Sequence, residues 1–138
     1  MIQHWGAPIH GDLASVQTAI RPSIANSSWD EPQFPGIMRE SSRGFLGRPT
    51  LSGHRNGKAW STKFEVTDFH HQKNHVAITF RDLHAELEVV ISFDLDKHGV
   101  LFQRATVKNL GESEYCLNEF IHWLPLPKEA TQTLDFAG

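Results

Sequence analysis

The sequence is poor in cysteine, in long apolar runs and in clustered charge, and each shortage removes a class of explanation. One cysteine, Cys116, stands among 138 residues, so neither an internal disulfide framework nor a cysteine-rich zinc site can be built. No apolar window approaches the ~20 residues that a membrane-spanning helix needs. The opening residues Met1-Ile2-Gln3-His4-Trp5 lack the basic start and apolar run of a secretory signal. From these features the expected compartment is the cytoplasm, with no membrane partner. Thirteen Lys plus Arg against sixteen Asp plus Glu give a formal net charge of -3. The basic residues are scattered, so a nucleic-acid partner is not expected. The chain also falls short of the ~250 residues of a (β/α)8 barrel, and a single domain over residues 1–138 is expected.

What is present suits an ordered globular domain: 39% hydrophobic and 21% charged residues leave enough apolar surface for a core. The chain has two textures. From Gly6 to about Gly57 it is rich in Pro, Gly, Ser and Asn, with one short helix candidate from Asp12 to Ile20, ended by Arg21-Pro22. The stretch from Ser27 to Gly36 reads as an ordered loop, because Trp29 and Phe34 favour burial.

From Trp60 onward the pattern is that of strands. Between His84 and Asp94, Ala85, Leu87, Val89, Ile91 and Phe93 fall on one face while Glu86, Glu88 and Ser92 fall on the other. Val76, Ile78 and Phe80 alternate in the same way, and Arg81-Asp82-Leu83 offers a tight connection between the two segments. Further strands are expected over Phe64 to Phe69, Val100 to Val107 and Tyr115 to Trp123. They are separated by the polar His70–Asn74, by Asp96-Lys97-His98-Gly99 and by Asn109-Leu110-Gly111-Glu112. Closely spaced strands without helical crossovers indicate an all-β, antiparallel β-sandwich.

Catalytic chemistry is hard to find in this pattern. The densest of the nine histidines are His70, His71 and His75, but neighbours on a strand point to opposite faces, and a polar hairpin tip explains them without a metal. Glu86 and Glu88 share a solvent-facing side rather than a cleft. Asp30-Glu31 could touch a polar ligand or cap its own loop. A Gly-x-Ser-x-Gly elbow and a phosphate-binding glycine loop are both missing, and neither a metal nor an organic cofactor is expected. The aromatics Trp5, Trp29, Phe34, Phe45 and Trp60 remain, and such rings either pack on a sheet or stack on the C–H-rich face of a sugar.

Three blocks carry a resemblance. The end of the chain, Trp123-Leu124-Pro125-Leu126-Pro127 through Leu134-Asp135-Phe136-Ala137-Gly138, is similar to the exit from the N-terminal β-domain of family 36 α-galactosidases. The stretch Gly44-Phe45-Leu46-Gly47-Arg48-Pro49, followed by Ser52-Gly53-His54-Arg55 and by Trp60-Ser61, resembles a second block of actinobacterial-type members. His4-Trp5-Gly6 resembles an early Trp-Gly of the same domain. The resemblance implies a supersandwich of the galactose-mutarotase type, preceding a (β/α)8 barrel that hydrolyses terminal α-galactosides with retention. Residues 124–138 would be the exit toward that barrel. The family's two catalytic aspartates belong to the barrel, and nothing here matches their motifs. The family also places strands ahead of its Trp-Gly, so a missing pair of first strands and one open sheet edge are expected, and an open edge favours homo-oligomers.

In family members a loop reading Gly-x-Gly-Asp-Phe-Arg-x-Pro reaches the mouth of an active site. The matching positions are Ser42-Arg43-Gly44-Phe45-Leu46-Gly47-Arg48-Pro49, where Phe45 replaces Asp, Leu46 replaces Phe and Gly47 replaces Arg. The expectation is a non-catalytic accessory domain that packs on the parent's barrel and offers Phe45, Leu46, Arg48 and Trp60 to the rim of a galactoside site. The chain alone should be inactive, because a retaining glycosidase needs two carboxyls about 5 Å apart. An autonomous carbohydrate-binding module is the alternative. A mutarotase-like enzyme would need Glu119 and His122 in one cleft, and their spacing on a strand sets them on opposite faces.

Overall fold

Alternation decides the architecture. In the computed structural model, which describes residues 36–124 and residues 10, 131 and 132, the apolar alternation becomes strands β3 (His75–Asp82), β4 (Leu87–Leu95) and β5 (Leu101–Asn109). They are preceded by β1 (Leu51–His54) and β2 (Glu65–Gln72) and followed by β6 (Cys116–Phe120). Among the described residues the one helical element is a 3-10 turn, Ser41–Arg43. The helix candidate Asp12 to Ile20, the Trp29 loop and the exit beyond Leu124, apart from two isolated positions, lie outside the described residues.

Strands β2-β3-β4-β5 form an antiparallel meander, and β1 pairs with β6 in a separate two-stranded sheet. Directly opposed residues share a face, so the register sorts the side chains. Phe80, Val89 and Val107 oppose one another, as do Ile78, Ile91 and Ala105. Leu87 and Val89 are fully buried and Ile91 is 1% exposed. Leu51 of β1 belongs to the same cluster, and Phe120 of β6 and Tyr115 just before it pack against it. The small sheet therefore covers the apolar face of the large one, and the fold is an all-β sandwich.

The strand boundaries differ from the sequence reading at several places, and β6, expected over Tyr115 to Trp123, spans only Cys116–Phe120. Strand β2 continues through His70 and His71 to Gln72, because the connection to β3 is only Lys73-Asn74. Strand β4 begins at Leu87, since Leu83–Glu86 form the turn and Glu86 adopts φ +54. Glu86 and Glu88 are consequently not neighbours on one strand face: Glu86 lies 3.8 Å from the Arg55 guanidinium, whereas Glu88 pairs with Arg81 at 2.6 Å. Strand β1 falls in a stretch that reads as loop. Gly53 lies against β6 so closely that a Cβ there would stand 2.5 Å from the Cys116 carbonyl and from the Tyr115 ring. A glycine is needed for that close approach.

Two polar residues tie the pieces together. The Asp82 carboxylate, 5% exposed, accepts the His84 and Ala85 amides across the β3–β4 turn and also the Lys63 amide ahead of β2. Arg55, just after β1, donates to the Ala85 carbonyl at 3.0 Å, to Asn109 Oδ1 at 2.7 Å and to Ser113. One guanidinium thus joins the small sheet to one end of the β4–β5 pair, where β4 begins and β5 ends, a use of its fixed fork of donors.

Replacing Leu87 with Ala removes a side chain buried under both sheets. The expected loss is ~2–5 kcal/mol, read as a lower urea midpoint, whereas Leu83→Ala, at an 88% exposed position, should stay within ~0.5 kcal/mol.

Candidate functional site

The loop expected at the rim is closed at its base by two residues. Arg39 donates its amide to Thr50 Oγ1 and accepts the Thr50 amide, both at 2.8 Å. Thr50 is 1% exposed and its carbonyl accepts the Ile121 amide, so the base is pinned to the chain leaving β6. Residues 40–49 thus form a compact surface loop with adjoining ends, the geometry of an Ω-loop.

Inside the loop, Glu40 is the anchor. Its carboxylate is buried at 3% exposure. It accepts the Phe64 amide at 2.7 Å and Arg43 Nε at 2.8 Å. Arg43 also donates to the Phe64 carbonyl and to Glu65, and Ser42 donates to the Thr62 carbonyl at 2.6 Å. The 3-10 turn is therefore fastened to the chain entering β2. Burial pushes the Glu40 carboxyl above its usual 4.5, against the opposing pull of the Phe64 amide and of Arg43.

Beyond the anchor the loop carries Phe45, half-buried and edge-on to Trp123 at 6.2 Å between centroids. The Arg39 guanidinium lies over both rings, 3.9 Å from Trp123 and 5.3 Å from Phe45, an arrangement that favours the cation electrostatically. Gly47 lets the Phe45 ring fold back on the loop, because a Cβ there would come within 2.7 Å of it. Leu46 is 57% exposed, and Arg48 projects outward to pair with Glu119 of β6. Trp60 sits on the β1–β2 connection, close in sequence to the tethered Thr62, with 69% of its surface exposed.

The structure thus joins Phe45, Leu46 and Arg48 on one anchored loop and holds Trp60 on the neighbouring connection. Trp60 makes no aromatic pair among the described residues. Arg39, Glu40 and Glu119 were not singled out from the sequence as members of this site. Arg39 and Glu119 meet the loop rings and Arg48 only through the tertiary fold, whereas Glu40 opens the loop itself and pairs with Arg43 three residues on. The carboxylates beside the loop are committed to arginines, Glu40 to Arg43 and Glu119 to Arg48. His122 stacks edge-on against Phe120 at 5.3 Å. What the loop offers is apolar surface and charge-paired hydrogen-bonding groups.

The family model for the glycosyl hydrolase family 36 N-terminal domain matches residues 1–138. The chain belongs to that family. This family 36 N-terminal domain is also similar to an α-galactosidase of Escherichia coli, 30% identical over 138 residues, covering 97% of this chain and 19% of the relative. The domain therefore spans about a fifth of the length of the curated relative it matches. No solved structure matches it.

The raised Glu40 pKa fixes the sign of a pH effect. A carboxyl whose folded pKa lies above its unfolded value binds its proton more tightly in the native state. Its stabilising contribution is full below pH 4.5 and is lost as pH rises through the folded value. Urea unfolding of the wild type and of Glu40→Gln should show the wild type losing stability relative to the variant between pH 4.5 and neutrality. A difference that is flat with pH would contradict the assignment.

Proposed function

We propose that this chain is the non-catalytic N-terminal domain of an α-galactosidase, packing on the parent's catalytic barrel and shaping the rim of its galactoside site. The observation that carries the reading is the family match over the whole chain, and the similarity to an α-galactosidase supports that activity for the parent. Loop 40–49 is the rim element: its base is pinned at Arg39 and Thr50, while Leu46 and Arg48 stand out from it. Phe45 and Trp60 provide apolar surface for a sugar ring, and Arg48, held by Glu119, provides a donor for a hydroxyl. The segment 124–138 leads toward the barrel.

The same reading places the protein in the cytoplasm, where the exposed free thiol of Cys116 stays reduced. It also has copies of the chain associating. Among the described residues β2 is an edge strand of its sheet, with Val66 and Phe69 each 60% exposed, and an edge with apolar side chains favours association.

The test is kinetic. In the parent enzyme, Phe45→Ala and Trp60→Ala should each raise KM for raffinose about twofold to tenfold with kcat nearly unchanged, the effect of losing ~0.5–1.5 kcal/mol of aromatic contact. The isolated 138-residue chain should not hydrolyse an aryl α-galactoside. Turnover by the chain alone would overturn the non-catalytic reading, and unchanged KM values would overturn the rim.

A further inference from the structure

The end of the four-stranded sheet remote from loop 40–49 carries a second constellation. The cross-strand register places Gln72 of β2 opposite His75 of β3, His75 opposite Asp94 of β4, and Asp94 opposite Phe102 of β5. These four residues form one transverse row on the sheet face that points away from the core. The next row inward reads His70, Ala77, Ser92, Arg104. An open cleft of about 420 Å³ lies at this end of the sheet, lined by the whole first row, by the β2–β3 turn residues Lys73 and Asn74, and by Leu95 and Asp96.

The cleft is built from fixed groups. Asp94 Oδ1 pairs with His75 Nδ1 at 2.6 Å, and Asp94 Oδ2 accepts from Arg104 Nη1 at 3.1 Å. A carboxylate has about four acceptor positions, so two remain for a ligand while the group is held in place. The Leu95 amide donates to the Asn74 carbonyl at 2.9 Å and locks the two turns together. Asp96 accepts the His98 and Val100 amides and stiffens the β4–β5 turn. Phe102 is 45% exposed, with the Arg104 guanidinium 5.7 Å from its ring centroid.

The chemistry selects the ligand class. One exposed aromatic ring stands beside planar hydrogen-bonding groups, the Gln72 and Asn74 amides and the Asp94 carboxylate, of the kind that meet vicinal hydroxyls. Among the residues that line the cleft, Lys73 stands beside the two carboxylates Asp94 and Asp96, so the lining sets up no positive field that would favour a phosphate or another anion. The volume lies within the ~300–1,000 Å³ of small-molecule sites.

We propose that this cleft is a saccharide-binding subsite, taking a neutral sugar with one ring face on Phe102 and its hydroxyls on Asp94 and Asn74. From Leu87 to Asp94 the strand rises ~3.3 Å per residue, which sets the subsite about 23 Å from the loop-bearing end of the sheet. It therefore serves attachment of a glycan chain or polymer independently of the rim. The proposal does not rest on the parent's activity.

The test is a titration of the full chain with raffinose and, in parallel, maltose, followed by amide chemical shifts. Saturable shifts at Lys73, Asn74, Leu95 and Phe102 with millimolar affinity are expected, weakened about tenfold or more by Phe102→Ala. Asn74→Ala, an exposed turn substitution, should weaken binding without disturbing the fold, and it stands in if an Asp94→Asn variant unfolds. Absence of shifts with both sugars, shifts confined to Phe45 and Trp60, or binding undiminished in Phe102→Ala would each overturn the subsite. So would inorganic phosphate moving the same amides while the sugars do not.

Discussion

A carboxylate buried at the foot of a loop is the constraint from which the rest of the site follows. Glu40 is removed from water, and a buried charged group is tolerated only when its acceptors are filled. The groups that fill them are the Phe64 amide and Arg43, so satisfying Glu40 forces the 3-10 turn against the chain entering β2. Arg43 then reaches the Phe64 carbonyl and Glu65, and Ser42 reaches Thr62. These contacts hold loop 40–49 against the sheet, and Phe45 and Arg48 are carried with it.

The domain divides its labour along the sheet axis. In the middle, Leu87, Val89 and Ile91 are sealed beneath the small sheet, and their burial is the main source of stability. At one end, Asp82, Arg55 and Glu40 join separate segments through charged hydrogen bonds, which are stronger than neutral ones and specify geometry. At the other end, Asp94, His75 and Arg104 form a comparable network that joins neighbouring strands and faces an open cleft. Both ends use the same chemistry; the first spends it on assembling the fold, and the second leaves part of it free for a ligand.

How much of this was legible in the sequence depends on whether the signal was periodic. The face formed by Ala85, Leu87, Val89 and Ile91 is plain from alternation, and all four are buried. The all-β architecture follows from it. Strand β1 was not legible, since Gly53 reads as a breaker until its contact with β6 gives it a reason. Glu86 was misplaced because alternation continues formally through a turn that its positive φ interrupts. Phe45, Leu46, Arg48 and Trp60 came from a motif resemblance, and the anchoring role of Glu40 and the stacking of Arg39 came only from tertiary geometry. The row Gln72, His75, Asp94, Phe102 exists only once the register is known, because its members come from four different strands.

The central claim is that the buried Glu40 carboxylate is the anchor that holds the rim loop against the chain entering β2. Native-state hydrogen exchange on Glu40→Ala, with the wild type as reference, tests it most directly. The account predicts that the amides of Arg43, Phe45 and Phe64 lose protection, by a free energy of ~1–3 kcal/mol for an orphaned buried donor, while those of β4 keep theirs. Unchanged protection at Phe64 and Phe45, or a loss spread equally through β4, would contradict it.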